Sequence, residues 1–410
     1  MTQAMNKKKK IMILGASRYY IRSIIAAREM GCEVFVTDRN PRAEGFRYAD
    51  FYEAVDIGNI EDSIKTAQKY KVDGVVAVND FGVQTAAAIA ANLGLPGIGT
   101  EVAKYATSKA WMRKIWKISG VPSARFEVID SLERAYAAVE KLAVWPLIVK
   151  PADSRGGASR GVSKIEKIDQ LKGAVDFAQS FYEDKEVVIE EFLDGIEHSI
   201  EALTYDGVTH ILAVSDKEKT APPYRVDRSV IYPTVYEGEK LKRIHDAAQS
   251  AIKALGITRG AAHVEICSTN KGPKLIEVGA RCGGGGTPDP IIPWLTGIEM
   301  FKETVRIALD QRPHRLEPLF MKGCVYRFLM PRPGKIRLIS GIEDVKQVGG
   351  ILDFEVLLKV GDEIRAVRTG GDRAGFIIAG GENREQAVRF ADQAEECIRF
   401  EYERNATLSR

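Results

Sequence analysis

Cysteine is scarce in this sequence and is not paired. Five cysteines occur in 410 residues, namely Cys32, Cys267, Cys282, Cys324 and Cys397. Their number is odd and no CxxC spacing occurs, so they fit neither a disulfide framework nor a zinc site. We therefore expect a protein of the reducing cytoplasm that folds without covalent staples.

Long hydrophobic runs and an excess of one charge are also missing. No apolar stretch approaches the roughly 18 residues that cross a membrane. The lysine-rich start at 6–10 precedes only a short apolar run at 11–14, too short for a secretory signal. Lys and Arg number 59 against 56 Asp and Glu, which leaves a net charge of +3. Because this balance gives no overall field for nucleic acid or an anionic membrane, small-molecule partners are expected.

The chain is long enough for two or three domains, since about 150 residues per domain is typical. Predicted strands at 10–16, 33–38 and 74–78 alternate with predicted helices at 18–30, 60–70 and 82–93. This alternation indicates a parallel sheet with crossover helices. A further helix at 108–119 spaces Trp111, Ile115 and Ile118 on one face and should link two domains.

From residue 121 onward the pattern changes to α+β. Strands are predicted at 146–150 and 186–193, a helix at 169–181, and a second helix through 241–255 from apolar residues at helical spacing. A strand-rich tail after 321 ends in a helix that carries Ala387, Ala391, Ala394 and Ile398. The fold class predicted from these patterns is a multidomain α/β and α+β protein.

The N-terminal part contains a partial match to a dinucleotide-binding unit. Gly15 follows the first strand and Asp38 ends the second, where such a unit would hold a ribose. Ser17 and Tyr20 stand in place of the second and third glycines, which pyrophosphate approach and helix packing require. We favour the interpretation that Gly15 and Asp38 only shape the ends of strands, and NAD binding remains a minor alternative.

A glycine-rich loop follows the strand that ends at Lys150. Residues 154–161 contain three glycines and two arginines, and a strand returns at 161. Such a loop can turn several backbone N–H groups toward one point, which suits a polyphosphate, although an exposed flexible hairpin is the alternative. It is not a Walker A loop, because no helix follows it.

Two strands at 262–266 and 274–278 flank a turn that we expect to be centred on Lys271. In a symmetric hairpin Glu265 lies opposite Glu277. Four apolar residues should point to the other face of this hairpin, namely Val264, Ile266, Ile276 and Val278. Opposed carboxylates about 5 Å apart repel by roughly 3 kcal/mol at an effective dielectric of 20, so a cation should lie between them.

A hard divalent ion fits this hairpin, because it takes carboxylate oxygens and completes its shell with phosphate and water. Mg²⁺ is our first expectation and Mn²⁺ an alternative, with Arg281 as a further cation. His263 lies on the same face but is assigned no role. For the acids at 190, 191 and 197 taken alone, we favour the interpretation that they are surface charges.

These segments together resemble the ATP-grasp superfamily. The resemblance rests on six motifs in the family's order, namely Lys109, Lys150 with its loop, Glu190-Glu191-Phe192-Leu193, Glu197, Glu265, and Glu277-Val278-Gly279-Ala280-Arg281. It implies a Rossmann-like parallel-sheet domain at 1–105, a two-part ATP-grasp domain at 106–320 with a lid near 121–190, and a strand-rich C-terminal extension at 321–410.

The resemblance also implies roles for individual residues. Lys109 and Lys150 would contact ATP phosphates, and the loop residues Ser154, Gly156, Gly157, Ala158 and Gly161 would close over them. Glu190 would take the adenine amino group, with the backbone of Glu191 and Leu193 at the base edge and Glu197 at the ribose. Glu265 and Glu277 would bind the metal. Arg281, together with Lys150, would act in catalysis by steadying the transferred phosphate.

The residues after Arg281 narrow the expected activity. Cys282 and four glycines follow, without the runs typical of biotin carboxylases or purine-pathway carboxylases, and the pattern looks most similar to stand-alone amino-acid and dipeptide ligases. The resemblance therefore implies a ligase that forms an amide from a carboxylate and an amine through an acyl phosphate, releasing ADP and phosphate. A homodimer is a further expectation.

One departure from the family and one loop leave alternatives open. Gly279 replaces an asparagine that often serves as an additional metal ligand, so an ATP-binding regulatory protein without turnover is the second hypothesis. In the proline-broken loop at 219–228, Arg225 or Arg228 could hold a substrate carboxylate, although ordinary surface salt bridges are equally expected there.

Overall fold

The computed structural model of the protein describes residues 8–155 and 157–403. Within these residues no helix is both long and apolar enough to cross a membrane. Short 3₁₀ turns cover Arg18–Tyr20, Glu44–Tyr48, Ile168–Gln170 and Gly370–Asp372, and a π-helical turn covers Thr287–Ile291.

The N-terminal part is the parallel sheet that the sequence predicts. Its elements are β1 Lys10–Leu14, α1 Ile21–Glu29, β2 Glu33–Thr37, β3 Phe51–Glu53, α2 Ile60–Tyr70, β4 Gly74–Ala77, α3 Asp80–Leu93 and α4 Thr100–Tyr105. The strands are parallel in the order β3-β2-β1-β4. The carboxylate of Asp38 accepts the backbone N–H groups of Ala16 at 3.0 Å and Asn40 at 2.9 Å. Asp38 therefore shapes the strand ends, as the favoured interpretation states.

Helix α5, Lys109–Ile118, follows the N-terminal part. Its buried face carries Lys109, Met112, Arg113 and Trp116, whereas Ile118 is 87% exposed. The predicted face, built on the spacing of Trp111 and Ile118, was therefore wrong. Hydrophobic periodicity missed the true face because two of its residues are cations that pair with acids on other elements.

An antiparallel sheet with two helices comes next. Its elements are β5 Phe126–Ile129, α6 Leu132–Leu142, β6 Leu147–Pro151, β7 Ser163–Ile165, α7 Leu171–Gln179 and β8 Val187–Glu191, and the strand order is β5-β8-β6-β7. β6 pairs with β7 from Leu147 opposite Ile165 to Val149 opposite Ser163. The glycine-rich segment thus connects the two strands of a hairpin, as predicted.

A second antiparallel sheet carries the paired acids. The elements of this region are β9 Gly195–Tyr205, β10 Val208–Val214, β11 Asp216–Lys219, β12 Asp227–Tyr232, α8 Gly238–Leu255, β13 Gly260–Thr269 and β14 Gly272–Gly279. The sheet order is β10-β9-β13-β14, and its apolar face packs with buried residues of α8 and α5 in one core. Strands β9 to β12 had no counterpart in the sequence prediction.

The hairpin of β13 and β14 has the expected acid pair but a different turn. Glu265 lies opposite Glu277, whereas nearer the turn Ile266 lies opposite Leu275, because the register shifts by one residue between these pairs. Strand pairing closes at Thr269 and Gly272, so the turn is one residue shorter than predicted and a bulge at Ile276 compensates. Leu275 therefore takes the core position that we expected for Ile276.

The described residues of the C-terminal part form four helices and contribute strands to two sheets. Its elements are α9 Ile292–Thr296, α10 Met300–Ala308, β15 Gly323–Leu329, β16 Gly334–Ser340, α11 Ile342–Val345, β17 Ile351–Val356, β18 Glu363–Ile364, β19 Gly375–Gly381, α12 Arg384–Cys397 and β20 Arg399–Tyr402. One sheet has the order β11-β12-β15-β19-β17 and the other β18-β16-β20. The first sheet joins strands from both sides of residue 320, so the domain boundary expected there, like the other boundaries, stays a prediction.

Candidate active site

Most of the residues singled out in the sequence line one cavity. Its wall includes thirteen of them, namely Lys109, Lys150, Ser154, Gly157, Ala158, Glu190, Glu191, Leu193, Glu197, Arg225, Glu265, Glu277 and Arg281. They come from the helix α5, from the two antiparallel sheets that contain β6 and β13, and from four loops. Segments up to 172 residues apart in the chain, from Lys109 to Arg281, therefore meet at one place.

Two predicted residues of the described part of the chain, Gly161 and Arg228, are not found in this wall. Gly156 lies outside the described residues. Gly161 packs against Pro151 instead, and its positive φ of 69° explains the need for glycine. Arg228 follows Asp227 on β12, and successive strand residues point to opposite faces, so Asp227 lines the cavity while the Arg228 side chain is 55% exposed. Arg228 thus fits the surface alternative, whereas Arg225 reaches the cavity.

Each carboxylate of the central pair has its own lysine. Lys109 Nζ lies 3.1 Å from Glu277 Oε1 and also donates to Ser154 Oγ at 3.1 Å. Lys217 from β11 forms an ion pair with Glu265 Oε1. Burial alone would raise the pKa of Glu265, but Lys217 and its neighbours hold that pKa well below the usual range. The cationic charge expected beside the two acids is therefore supplied, in the protein itself, by two ammonium groups.

A second charged group lies deeper in the cavity, where Lys150 and Glu190 form a buried ion pair on adjacent strands. Arg113 from α5 donates to the other carboxylate oxygen of Glu190 through Nε at 2.9 Å. Burial and, to a smaller extent, repulsion by Arg113 outweigh the attraction of Glu190 and together lower the pKa of Lys150 to about 8. Burial opposes ionisation of Glu190, but Arg113 and Lys150 lower the pKa of its carboxyl group.

Ion pairs of Glu191 and Glu197 fix the segment that follows Glu190. Glu191 accepts from Arg125 Nε at 3.0 Å and pairs with Lys274, so its carboxylate anchors the segment to β14. Glu197 lies 2.7 Å from Lys219 Nζ and 3.0 Å from Arg225 Nη2. Both acids are therefore engaged in the site and are not the surface charges expected when they are taken alone.

Arg281 is held by an acid from the N-terminal part. Its Nε and Nη2 donate to the two oxygens of Asp80 at 2.9 and 2.7 Å, a bidentate arrangement. A Cβ atom built on Gly279 would lie 3.1 Å from Asp80 Oδ1 and 3.3 Å from Arg281 Cζ. The departure from asparagine at 279 thus has a packing reason, because the Asp80–Arg281 pair occupies that space.

Several charged residues in or beside the cavity wall were given no role from the sequence. Lys217, Lys219 and Asp227 form a network in which Lys219 Nζ lies 3.0 Å from Asp227 Oδ1. Burial would lower the pKa of His263, but its contact with the buried Glu201 raises that pKa to about 9, so the ring is cationic. The alternation of acids and lysines at 216–219 could have indicated the two lysines, since it is typical of a strand that places its lysines on one face, where they can form ion pairs.

Comparisons with known proteins agree with this geometry. A family model for the ATP-grasp N-terminal domain matches residues 24–97, one for the ATP-grasp domain matches 143–289, and one for the L-amino acid ligase C-terminal domain 2 matches 327–403. The three models occur in the order that the sequence motifs predict, and the second contains the hairpin with Glu265 and Glu277.

Individual relatives extend the likeness. The L-arginine-specific L-amino acid ligase of Bacillus subtilis is 28% identical over 301 residues, which cover 71% of this chain and 71% of that protein. The alanine–anticapsin ligase of Bacillus subtilis strain 168 is 30% identical over 249 residues, 55% of this chain, and the match spans only 52% of that relative.

A solved structure shows the same fold. The crystal structure of an L-amino acid ligase from Bacillus licheniformis is 23% identical, covers 97% of this chain and 99% of its own, and has a TM-score of 0.83. Two ATP-grasp models precede the L-amino acid ligase C-terminal model in chain order, and the predicted motifs gather in one cavity, so the chain is an ATP-grasp protein similar to carboxylate–amine ligases.

Proposed function

We propose that this protein joins the carboxylate of one small molecule to the amine of another in an ATP-dependent reaction that passes through an acyl phosphate. The observation that carries the proposal is the direct opposition of Glu265 and Glu277 in a cavity that also holds Lys109 and Lys150. Amino acids are the proposed substrate class, because two of the similar proteins are named as L-amino acid ligases.

The nucleotide is proposed to lie with its phosphates between Lys109, Lys150 and the segment Gly157–Ala158. Glu190 would accept from the adenine amino group, the backbone at Glu191 and Leu193 would meet the base edge, and Glu197 would hold the ribose. In support, all of these residues line the same cavity. The ion pair between Lys219 and Glu197 could open for the ribose, since Lys219 would keep Asp227 as a second partner.

ATP-grasp ligases use ATP together with divalent metal ions, and the residues present fit such an ion. Glu265 and Glu277 offer hard oxygen donors directly across two strands, and each forms an ion pair with a lysine. We propose these two acids as the ligands of Mg²⁺ or Mn²⁺. When bound, the ion would neutralise charge on the transferred phosphate.

The protein's own groups account for the remaining chemistry. In the first step a carboxylate oxygen of the acid substrate attacks the γ-phosphorus, and ADP leaves with the electrons of the broken P–O bond. The attack needs positioning and charge neutralisation more than covalent help, and Lys109, Lys150 and Arg281 supply both. In the second step the amine nitrogen attacks the acyl carbon, phosphate leaves, and the nitrogen loses a proton.

The assay that tests the function combines the protein with Mg-ATP and pools of amino acids and measures ADP, phosphate and new amides by mass spectrometry. We expect ADP to form at a rate that depends on both an acid and an amine, with one amide released for each ADP. If no pool of carboxylates and amines gives nucleotide turnover, the proposal is wrong. The homodimer, the domain boundaries and the cytoplasmic setting stay predictions.

The affinity for ATP is expected to weaken as the pH rises through about 8. Burial lowers the pKa of Lys150 to about 8, so the ammonium proposed to contact phosphate loses its charge there instead of near the usual value of about 10.4. The pH dependence of kcat/KM for ATP reports this free-enzyme ionisation. The Lys150→Arg variant should have a lower kcat/KM for ATP at neutral pH. This kcat/KM should not decline near pH 8, because a guanidinium stays charged.

A further inference from the structure

Arg113 is fully buried behind the cavity and does not line it. It lies four residues after Lys109 on α5, so both side chains point from the same buried face of that helix. Lys109 reaches the acid pair at Glu277, whereas Arg113 reaches Glu190. One helix face therefore supplies a cation to each of the two charged groups of the cavity.

The charges of the three buried groups Arg113, Lys150 and Glu190 do not sum to zero. Arg113 and Lys150 are cations and Glu190 is the one carboxylate that both contact. Arg113 Nη1 is also buried without a hydrogen-bond partner among the described residues. A net positive charge in a buried wall needs an anion nearby, and the proposed phosphates beside Lys150 would supply it.

The two partners of Glu190 contact different oxygens of its carboxylate. Arg113 holds Oε2 at 2.9 Å from its Nε, and Lys150 contacts Oε1. Without Arg113, Lys150 would be the sole counter-ion of a buried carboxylate, and the pair would have to stay closed to avoid an uncompensated charge. With Arg113 in place, Glu190 stays compensated and fixed when Lys150 turns toward a phosphate.

We propose that Arg113 is a positioning residue for purine selection: it fixes Glu190 so that one carboxylate oxygen accepts from the purine 6-amino group, and it frees Lys150 for the phosphates. This inference rests on the proposed function, since it takes ATP as the nucleotide. Arg113 acts only through Glu190 and Lys150 and touches no substrate.

The test compares ATP with inosine triphosphate, which carries a carbonyl oxygen in place of the 6-amino group. Calorimetry with Mg²⁺ gives the Kd of each nucleotide. The wild-type protein should prefer ATP by about 10-fold to 100-fold, the usual worth of a hydrogen bond to a charged acceptor. Arg113→Met should weaken ATP binding by about tenfold or more and bring the ratio of the two Kd values close to one. Arg113→Lys should recover part of the preference.

Lys114→Met is the matched control, because Lys114 is the next residue of the same helix and is exposed. It should keep the wild-type ratio. The ratio is independent of the folded fraction, so a loss of stability alone does not change it. If Arg113→Met fails to fold, Arg113→Lys and Glu190→Gln form a double-mutant cycle on the same ratio, and their effects should not add.

The proposal is overturned if a folded Arg113→Met protein keeps the wild-type ratio, if Arg113→Lys recovers none of it, or if the cycle is additive. Failure of the proposed ligase reaction can be distinguished from failure of the proposal about Arg113. ATP binding without any amide would contradict the ligase reaction alone and leave the nucleotide comparison intact. If the wild-type protein binds neither nucleotide, both proposals are wrong.

Discussion

Replacing Glu277 by glutamine is expected to lower ADP formation by about a thousandfold while the protein stays folded. The neutral amide keeps the size of the side chain and can still accept from Lys109, but it removes the negative charge proposed to hold the divalent ion. Loss of about 4 kcal/mol of charge stabilisation in the transition state corresponds to this factor. The measurement is the initial rate of ADP release with saturating ATP and substrates.

Glu218→Gln is the matched control for this experiment. Glu218 lies on β11 beside Lys217 but is exposed, so its neutralisation should leave the rate unchanged. The unfolding temperature of Glu218→Gln should stay near that of the wild-type protein. Glu277→Gln should lower it only modestly, because the amide oxygen and Ser154 Oγ can still accept from the buried Lys109. Turnover within tenfold of wild type in Glu277→Gln would show that our metal assignment is wrong.

Substitution of Arg281 by lysine is expected to lower kcat by about 100-fold to 1,000-fold, the range seen when one donor to a developing negative charge is removed. Lysine keeps the charge but cannot donate two parallel bonds to Asp80 and still present a planar group to the phosphate. Because the proposed role is in the transition state, KM for ATP should change little. Steady-state kinetics at varied ATP separates the two parameters.

Asp80→Asn provides the comparison for Arg281→Lys. It leaves the arginine in place but removes the carboxylate that orients it, so its effect on kcat should be clearly smaller and in the same direction. If Arg281→Lys raises KM for ATP strongly and leaves kcat unchanged, Arg281 does not stabilise the transferred phosphate in the transition state. It would then contribute to ground-state binding of ATP.

The acid pair could be predicted from the sequence, although one step of the prediction was wrong. A symmetric hairpin placed Glu265 opposite Glu277, and the structure has this pair. The actual turn is shorter, and the bulge at Ile276 restores the register between the turn and the acids. Sequence patterns do not reveal a single-residue bulge, because Leu275 and Ile276 are both apolar and either could face the core.

The cationic half of the site was harder to predict. Lys109 and Lys150 came from the family resemblance, but Arg113 and Lys217 were missed, since hydrophobic periodicity treats a lysine or arginine as solvent-facing. Their burial depends on acids that lie far away in the chain, such as Glu190 for Arg113, 77 residues later. Only the tertiary fold shows which cations are paired.

The sheet that joins β11 and β12 to β15, β19 and β17 limits how far the chain can be shortened. Tyr232 pairs with Cys324 and Ser229 with Arg327, so a protein cut after residue 320 would keep β11 and β12 but lose β15, the neighbour on the other side of β12. The bared strand, with the apolar residues Val230 and Ile231, would present an open edge for association with other copies. A minimal catalytic fragment is therefore a poor reagent, and kinetic work needs the intact polypeptide.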